Sequence, residues 1–118
     1  MLEKTPFRTQ VRSVDPDTTL LVLTGDLDYD TAPELFVFVG ELFSGQVRRL
    51  DLDLSGLDFV DSSGVAALIN VYNSANECQA EMRIVALTPY LRHLFRVTAL
   101  DQVFRLPAEP AEPAEPAE

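Results

Sequence analysis

Cysteine occurs once in this chain, at Cys78, so no internal disulfide can form. Cys78 also has no CxxC neighbour, which points to a structural residue rather than a reactive one. Histidine is equally scarce. His93 stands alone in a stretch that reads as an amphipathic helix, with no evident partner for acid–base work, and is expected at the surface or its boundary. Basic residues number nine and are scattered, against 19 acidic ones, for a net charge of −10. A phosphate-backbone binder needs a clustered basic surface, so direct nucleic-acid binding is excluded. Docking on an anionic membrane is excluded for the same reason. No apolar run approaches the ~18 residues of a membrane span, and no secretory signal is read at the start. Together with the single cysteine, these absences predict a cytoplasmic protein. Neither GxGxxG nor a GxxxxGK-type phosphate loop occurs, and no His/Cys/Asp/Glu cluster has metal-ligand spacing. No cofactor or metal is therefore expected, and the chain does not read as an enzyme.

What is present fits one small domain. Of 118 residues, 47% are apolar, enough for a real core. Composition shifts at Pro107, where Pro-Ala-Glu triplets begin. Proline blocks continuous helix and the glutamates repel one another, so residues 107–118 read as a disordered, solvated tail. The tail holds four of the 19 acids, leaving 15 acids against nine bases in the domain, 1–106.

Within the domain, strands alternate with helices. "FRTQVRSV" and "TTLLVLTG" pair as a hairpin through "DPDT", the second strand ending at Gly25. Thr31, Pro33 and Glu34 form a capping box for a helix whose core stripe is Leu35, Phe38, Val39 and Leu42. Phe36 and Phe43 flank that stripe and are expected to be covered by neighbours. Val37 points almost opposite it and predicts a small exposed apolar spot. "RRLDLDL" alternates as a strand with one buried face and one wetter one. Val65, Leu68, Ile69 and Tyr72 mark a second amphipathic helix. "MRIVAL" is a further strand. Thr88 caps, and Pro89 opens, a third helix with the face Leu91, Leu94 and Phe95. "QVFRL" can add a last short strand. The expected architecture is a small α/β sandwich: a mixed sheet of about four to five strands, with helices mainly on one face. Asp26, Asp28 and Asp30 lack the glycine and glutamate of a calcium loop and read as acids favoured at a helix start.

The junction Asp61-Ser62-Ser63-Gly64 joins the central strand to the second helix. One oxygen suffices to cap a helix, yet the sequence supplies a carboxylate and two hydroxyls. Gly64 permits close approach to the backbone, and a helix N-terminus tolerates a phosphoryl group.

Three stretches carry a family resemblance. "LTGDLDYDTAPEL", "LDLSGLDFVDSSGVAALI" and "IVALTPYLRHLFRVTALDQVFRL" resemble the STAS domain family, and within it the bacterial anti-sigma factor antagonists. The likeness covers nearly all of residues 8–106. It implies a STAS-like fold and a protein that binds an anti-sigma factor when unphosphorylated, freeing a sigma factor for transcription. By the same resemblance Ser62 is the phosphorylation site and Ser63 a secondary acceptor or a cap. Asp28, Asp61, Ser62, Ser63 and Gly64 are the expected partner-binding residues. The implied partners are the anti-sigma factor itself, a serine kinase of the GHKL ATPase type, and a PP2C-type phosphatase that reverses the modification. Gly64-Val65-Ala66 departs from the Gly-Leu-Gly of many members, a change expected to bear on kinase-partner preference. A STAS subunit of a transporter or lipid-trafficking complex, and a nucleotide- or ligand-sensing STAS module, are the alternative readings.

Because the tail presents no apolar face, deleting residues 107–118 is expected to leave the melting temperature nearly unchanged. A drop of several degrees in a thermal melt would show that it packs on the domain.

Overall fold

The chain is described by a computed structural model covering residues 4–45 and 47–108. Its elements follow the order read from the sequence: β1 (Arg8–Asp15), β2 (Thr18–Leu27), α1 (Ala32–Phe43), β3 (Arg49–Val60), α2 (Ser62–Glu77), β4 (Glu81–Ala86) and α3 (Pro89–Val97). The strands form one four-stranded sheet in the order β1-β2-β3-β4. β1 and β2 pair antiparallel as the expected hairpin, whereas β2–β3 and β3–β4 are parallel. Each parallel pair is joined by a helix, as crossover connections require.

Alternation in the strands decides which face is covered. Leu21, Leu23, Leu50, Leu52, Leu54 and Ile84 are buried, and they share a core with Leu35 and Val39 of α1, Leu68 and Val71 of α2, and Leu91 and Phe95 of α3. Burying each such leucine contributes about 1.5–3 kcal/mol relative to leaving it exposed. The opposite face is wetter, with Leu20 and Val22 only partly covered. There Asp51, although buried, accepts two hydrogen bonds from the Arg83 guanidinium, both at 3.1 Å. The bidentate pair compensates the carboxylate's lost hydration.

Four local expectations are corrected. β2 does not end at Gly25 but continues to Leu27. Gly25 adopts φ +88° inside the strand, and a Cβ there would lie 2.0 Å from the Pro6 carbonyl oxygen. Its role is therefore to let the N-terminal segment pass, not to stop the strand. In α2 the most buried ridge is Gly64, Ala67, Leu68, Val71 and Ala75, with Val65, Ile69 and Tyr72 only half covered. Small residues let the helix sit close to its neighbours, so the stripe lies further round than the large apolar residues suggest. "QVFRL" forms no strand: its first residue, Gln102, ends a 3-10 turn at Leu100–Gln102, and one backbone bond, Ile84 N–H to the Arg105 carbonyl (3.0 Å), ties it to β4. Phe104 instead fills the core, edge-on to Phe95 at 5.3 Å and to Tyr72 at 6.0 Å. Cys78 is exposed at the C-cap of α2 and takes no part in core packing.

The α1 face is as expected for Leu35, Val39, Phe38, Leu42 and the half-buried Phe43. Val37 is 60% exposed, as its position predicts, but Phe36 is 59% exposed rather than covered. His93 is exposed on α3, as expected. Pro107 and Ala108 lie beside Arg92, Arg96 and Asp101. Residues 109–118, and with them the disorder read for most of the tail, lie outside the described residues.

Candidate functional site at the β3–α2 junction

Parallel pairing sets β2 and β3 side by side, with Leu27 opposite Val60 at their C-terminal ends. The two loops that leave these ends, 28–31 and the turn at Asp61, therefore converge. The β2–β3 pairing shifts register twice, opposite Val22–Thr24 and opposite Gly25–Asp26, with the extra residue in β3 each time.

Asp61 is the N-cap of α2. One carboxylate oxygen accepts the Gly64 N–H at 2.9 Å. The other accepts the Tyr29 N–H at 3.2 Å, across to the β2–α1 loop. The Leu27 carbonyl accepts the Asp61 N–H at 3.3 Å. Gly64 is buried, and a Cβ on it would lie 2.2 Å from that same carbonyl oxygen. The close approach that Gly64 permits is thus made by the chain's own β2.

Asp28 is buried at 4% exposure and organises the neighbouring loop. One of its carboxylate oxygens accepts the N–H groups of Asp30 (3.0 Å) and Thr31 (3.2 Å). The other pairs with the Lys4 ammonium at 3.0 Å. Asp28 thereby fills the capping role expected of Thr31. The Thr31 hydroxyl makes no cap; it accepts the Asp28 N–H and donates to the Asp26 carbonyl, both at 2.9 Å. The capping box with Glu34 is accordingly absent, because the Ala32 N–H already reaches back to the Asp28 carbonyl at 2.7 Å and Thr31 adopts helical angles. Asp26, Asp28 and Asp30 are not simply acids placed for a helix dipole. Asp26 accepts the Thr5 N–H at 3.1 Å, and Asp30 pairs with Lys4 at 2.7 Å.

Of the expected site residues, Asp61 and Asp28 are engaged within the protein, Gly64 is buried, Ser63 is half-buried and Ser62 is exposed. The Ser62 hydroxyl makes no hydrogen bond among the described residues. Beside Ser63, Tyr29, Pro33, Phe36, Ala66 and Asn70 line an open groove of about 310 Å³ between α1 and α2. Tyr29 is 77% exposed there. On the other flank Phe59 and Tyr90 are about half exposed, and the Tyr90 hydroxyl reaches the Val60 carbonyl at 3.5 Å. Sequence reasoning did not find Lys4, Tyr29 or Tyr90. Their relation to the turn depends on how distant segments meet, and no local pattern signals it.

The family profile described as "Mlab, STAS domain" matches residues 11–107. The chain belongs to the STAS domain family. A protein of Listeria monocytogenes named anti-sigma-B factor antagonist is 25% identical, over 82% of this chain and 85% of its own length. The crystal structure of an anti-sigma factor antagonist from Mycobacterium paratuberculosis superposes with a TM-score of 0.77 at 26% identity, covering 88% of this chain and 87% of that one. The Bacillus protein SpoIIAA in its unphosphorylated form has the same fold, with a TM-score of 0.70 at 21% identity over 86% of this chain and 90% of that one. The STAS-like sheet with helices against one face is therefore the fold of this chain.

Two outcomes follow from this geometry. Gly64→Ala places a methyl against backbone that cannot swing aside, and is expected to lower stability by about 1–3 kcal/mol or more in urea unfolding. Asp28 gives a pH dependence. Its carboxyl is held below the usual carboxylate range, first by the Lys4 ammonium and then by the Thr31 and Asp30 N–H groups, against the opposing effect of desolvation. A depressed folded-state value means that the contribution is complete above the ordinary carboxylate pKa and is lost as pH falls through the folded one. Melts taken below about pH 4 should fall more steeply for the wild-type protein than for Asp28→Asn, which starts less stable at neutral pH.

Proposed function

We propose that this protein is an anti-sigma factor antagonist. Unmodified, it binds an anti-sigma factor that is also a GHKL-type serine kinase; phosphorylated on Ser62, it releases that partner. A PP2C-type phosphatase restores the binding form. The protein acts in the cytoplasm as a binding module, without chemistry of its own. Among the described residues no helix is long and apolar enough to cross a membrane.

One observation carries this reading. Asp61 caps α2, while Ser62, the next residue, is exposed and its hydroxyl has no hydrogen-bond partner among the described residues. The names of the similar proteins support the general role. The exposed Tyr29 and Phe36 beside the turn support a partner surface that continues from Ser62 into the groove.

Phosphorylation adds roughly −1.5 to −2 charge to a turn that already contains Asp61, with Asp58 exposed nearby. In the free protein, water and the α2 N-terminus offset that charge. Across an interface it must be desolvated, and only about 1.4 kcal/mol lowers affinity tenfold.

Incubation with the cognate kinase and ATP should place phosphate on Ser62 by mass spectrometry, and Ser62→Ala should remove most of it. In titration calorimetry against the purified anti-sigma factor, Ser62→Asp should bind more weakly than wild type while remaining folded by circular dichroism. Ser62→Ala should bind nearly as well, losing at most ~0.5–1.5 kcal/mol. A folded Ser62→Asp protein that bound as tightly as wild type would overturn electrostatic blocking.

A further inference from the structure

Residues 4–6 precede the matched family region, which begins at residue 11, yet they touch the site. The Thr5 carbonyl accepts the Asp26 N–H at 3.0 Å, and the Thr5 N–H donates back to the Asp26 carboxylate at 3.1 Å. The Pro6 carbonyl occupies the space that a side chain at position 25 would need. Lys4 extends beyond them and places one ammonium between Asp28 and Asp30, at 3.0 and 2.7 Å. The β2–α1 loop is thus gripped from two sides. Residues 4–6 hold one side, and Asp61 holds the other through the Tyr29 N–H.

We infer that Lys4 is a positioning residue for the Ser62 turn: its ammonium fixes the 28–31 loop, and that loop holds the Asp61 carboxylate in its capping orientation. The path is a contiguous set of bonds. Lys4 bonds one oxygen of Asp28, and the other oxygen takes the N–H groups of Asp30 and Thr31. Tyr29 lies within that loop and donates to Asp61, whose second oxygen takes the Gly64 N–H two residues beyond Ser62. Charge makes Lys4 more than a tether. Asp28 and Asp30 lie on this loop, with Asp26 at the end of β2 and Asp61 at the turn beside them, and among the described residues Lys4 is the cation shared by Asp28 and Asp30. The Asp28 side chain is only 6% exposed, so removing its counter-charge leaves a desolvated carboxylate beside a second acid. Relief comes by opening the loop, which withdraws the Tyr29 N–H from Asp61. The more exposed link to Asp30 is screened by salt and adds less.

The inference rests on the reading of Ser62 as phosphoryl acceptor only for its consequence, because its test uses no partner protein. Amide hydrogen exchange is followed by NMR on the full chain as wild type, Lys4→Gln and Lys4→Arg. Lys4→Gln should speed exchange at the Tyr29 and Gly64 amides by about threefold to tenfold, leaving the Leu52 and Ile84 amides unchanged. Lys4→Arg should restore most of the protection. The Asp30 and Thr31 amide shifts, whose N–H groups donate to the Asp28 carboxylate, should also titrate with a midpoint at higher pH in Lys4→Gln than in wild type, because Asp28 loses the cation that stabilises its charged form. Faster exchange confined to Thr5 and Asp26, with Gly64 unmoved, would reduce Lys4 to an anchor for the chain terminus and overturn the inference. So would an arginine variant no better than glutamine. Either failure leaves the anti-sigma reading standing, since that depends on the Ser62 variants and the partner.

Discussion

The arrangement depends on one carboxylate shared between two backbone N–H groups. Asp61 caps α2 with one oxygen and holds the β2–α1 loop with the other. The first bond is ordinary helix capping, worth about 0.5–2 kcal/mol. The second makes two consecutive strand-to-helix junctions into a single surface. Parallel pairing of β2 with β3 brings the junctions together at the C-terminal ends of the two central strands, where open α/β folds commonly place their sites. Gly64 lets the helix start against the Leu27 carbonyl, so the junctions interlock rather than merely lie adjacent.

That surface is anionic, and the sign of its charge has two effects that pull apart. Within the protein, acids are consumed in holding the loops: Asp28 and Asp61 satisfy four backbone N–H groups between them, and Asp28 also holds Lys4. Those charges are paired with donors and cost little to keep. A new charge on Ser62 would not have the Gly64 N–H, which Asp61 already takes, and would rely on water and the rest of the exposed α2 N-terminus. In water this is inexpensive. Beneath a partner it would not be, so the proposed modification would act on binding while leaving the fold in place.

Most of the architecture was legible in the sequence where one local rule governs one element. The alternation Leu50-Asp51-Leu52-Asp53-Leu54 requires a one-faced strand, and the core confirms it. Thr88 followed by Pro89 marks a helix start, and the Thr88 hydroxyl accepts the Leu91 N–H at 3.1 Å. Rules failed where a residue had a better distant partner. Thr31 has the sequence of a cap, but its hydroxyl is drawn into the Asp26–Asp28 turn, and Asp28 caps instead. Gly25 looks like a stop, but the chain segment it accommodates lies 19 residues earlier, at Pro6. The α2 stripe was displaced because periodicity weights size, whereas packing against a close neighbour favours Gly64, Ala67 and Ala75. At the site, Ser62 and Asp61 were legible as an excess of oxygens over what capping needs. Lys4 was not, since nothing near it in sequence signals a buried acid far along the chain.

The two adjacent serines are not equivalent, and the helix explains why. Successive residues on a helix are turned by about 100°, so a hydroxyl at the first position and one at the second face different surroundings. Ser62 faces solvent. Ser63 is half-buried and lines the groove with Tyr29, Phe36 and Ala66, an apolar setting beside the loop. A phosphoryl group on Ser63 would have to enter that groove or displace Tyr29. One on the exposed Ser62, which does not line the groove, would stand in water. On the proposed reading, modification at Ser62 would therefore leave the apolar floor intact and add charge outside it. Such a surface would regain its unmodified shape once the group was removed, which is the property the proposed switch requires.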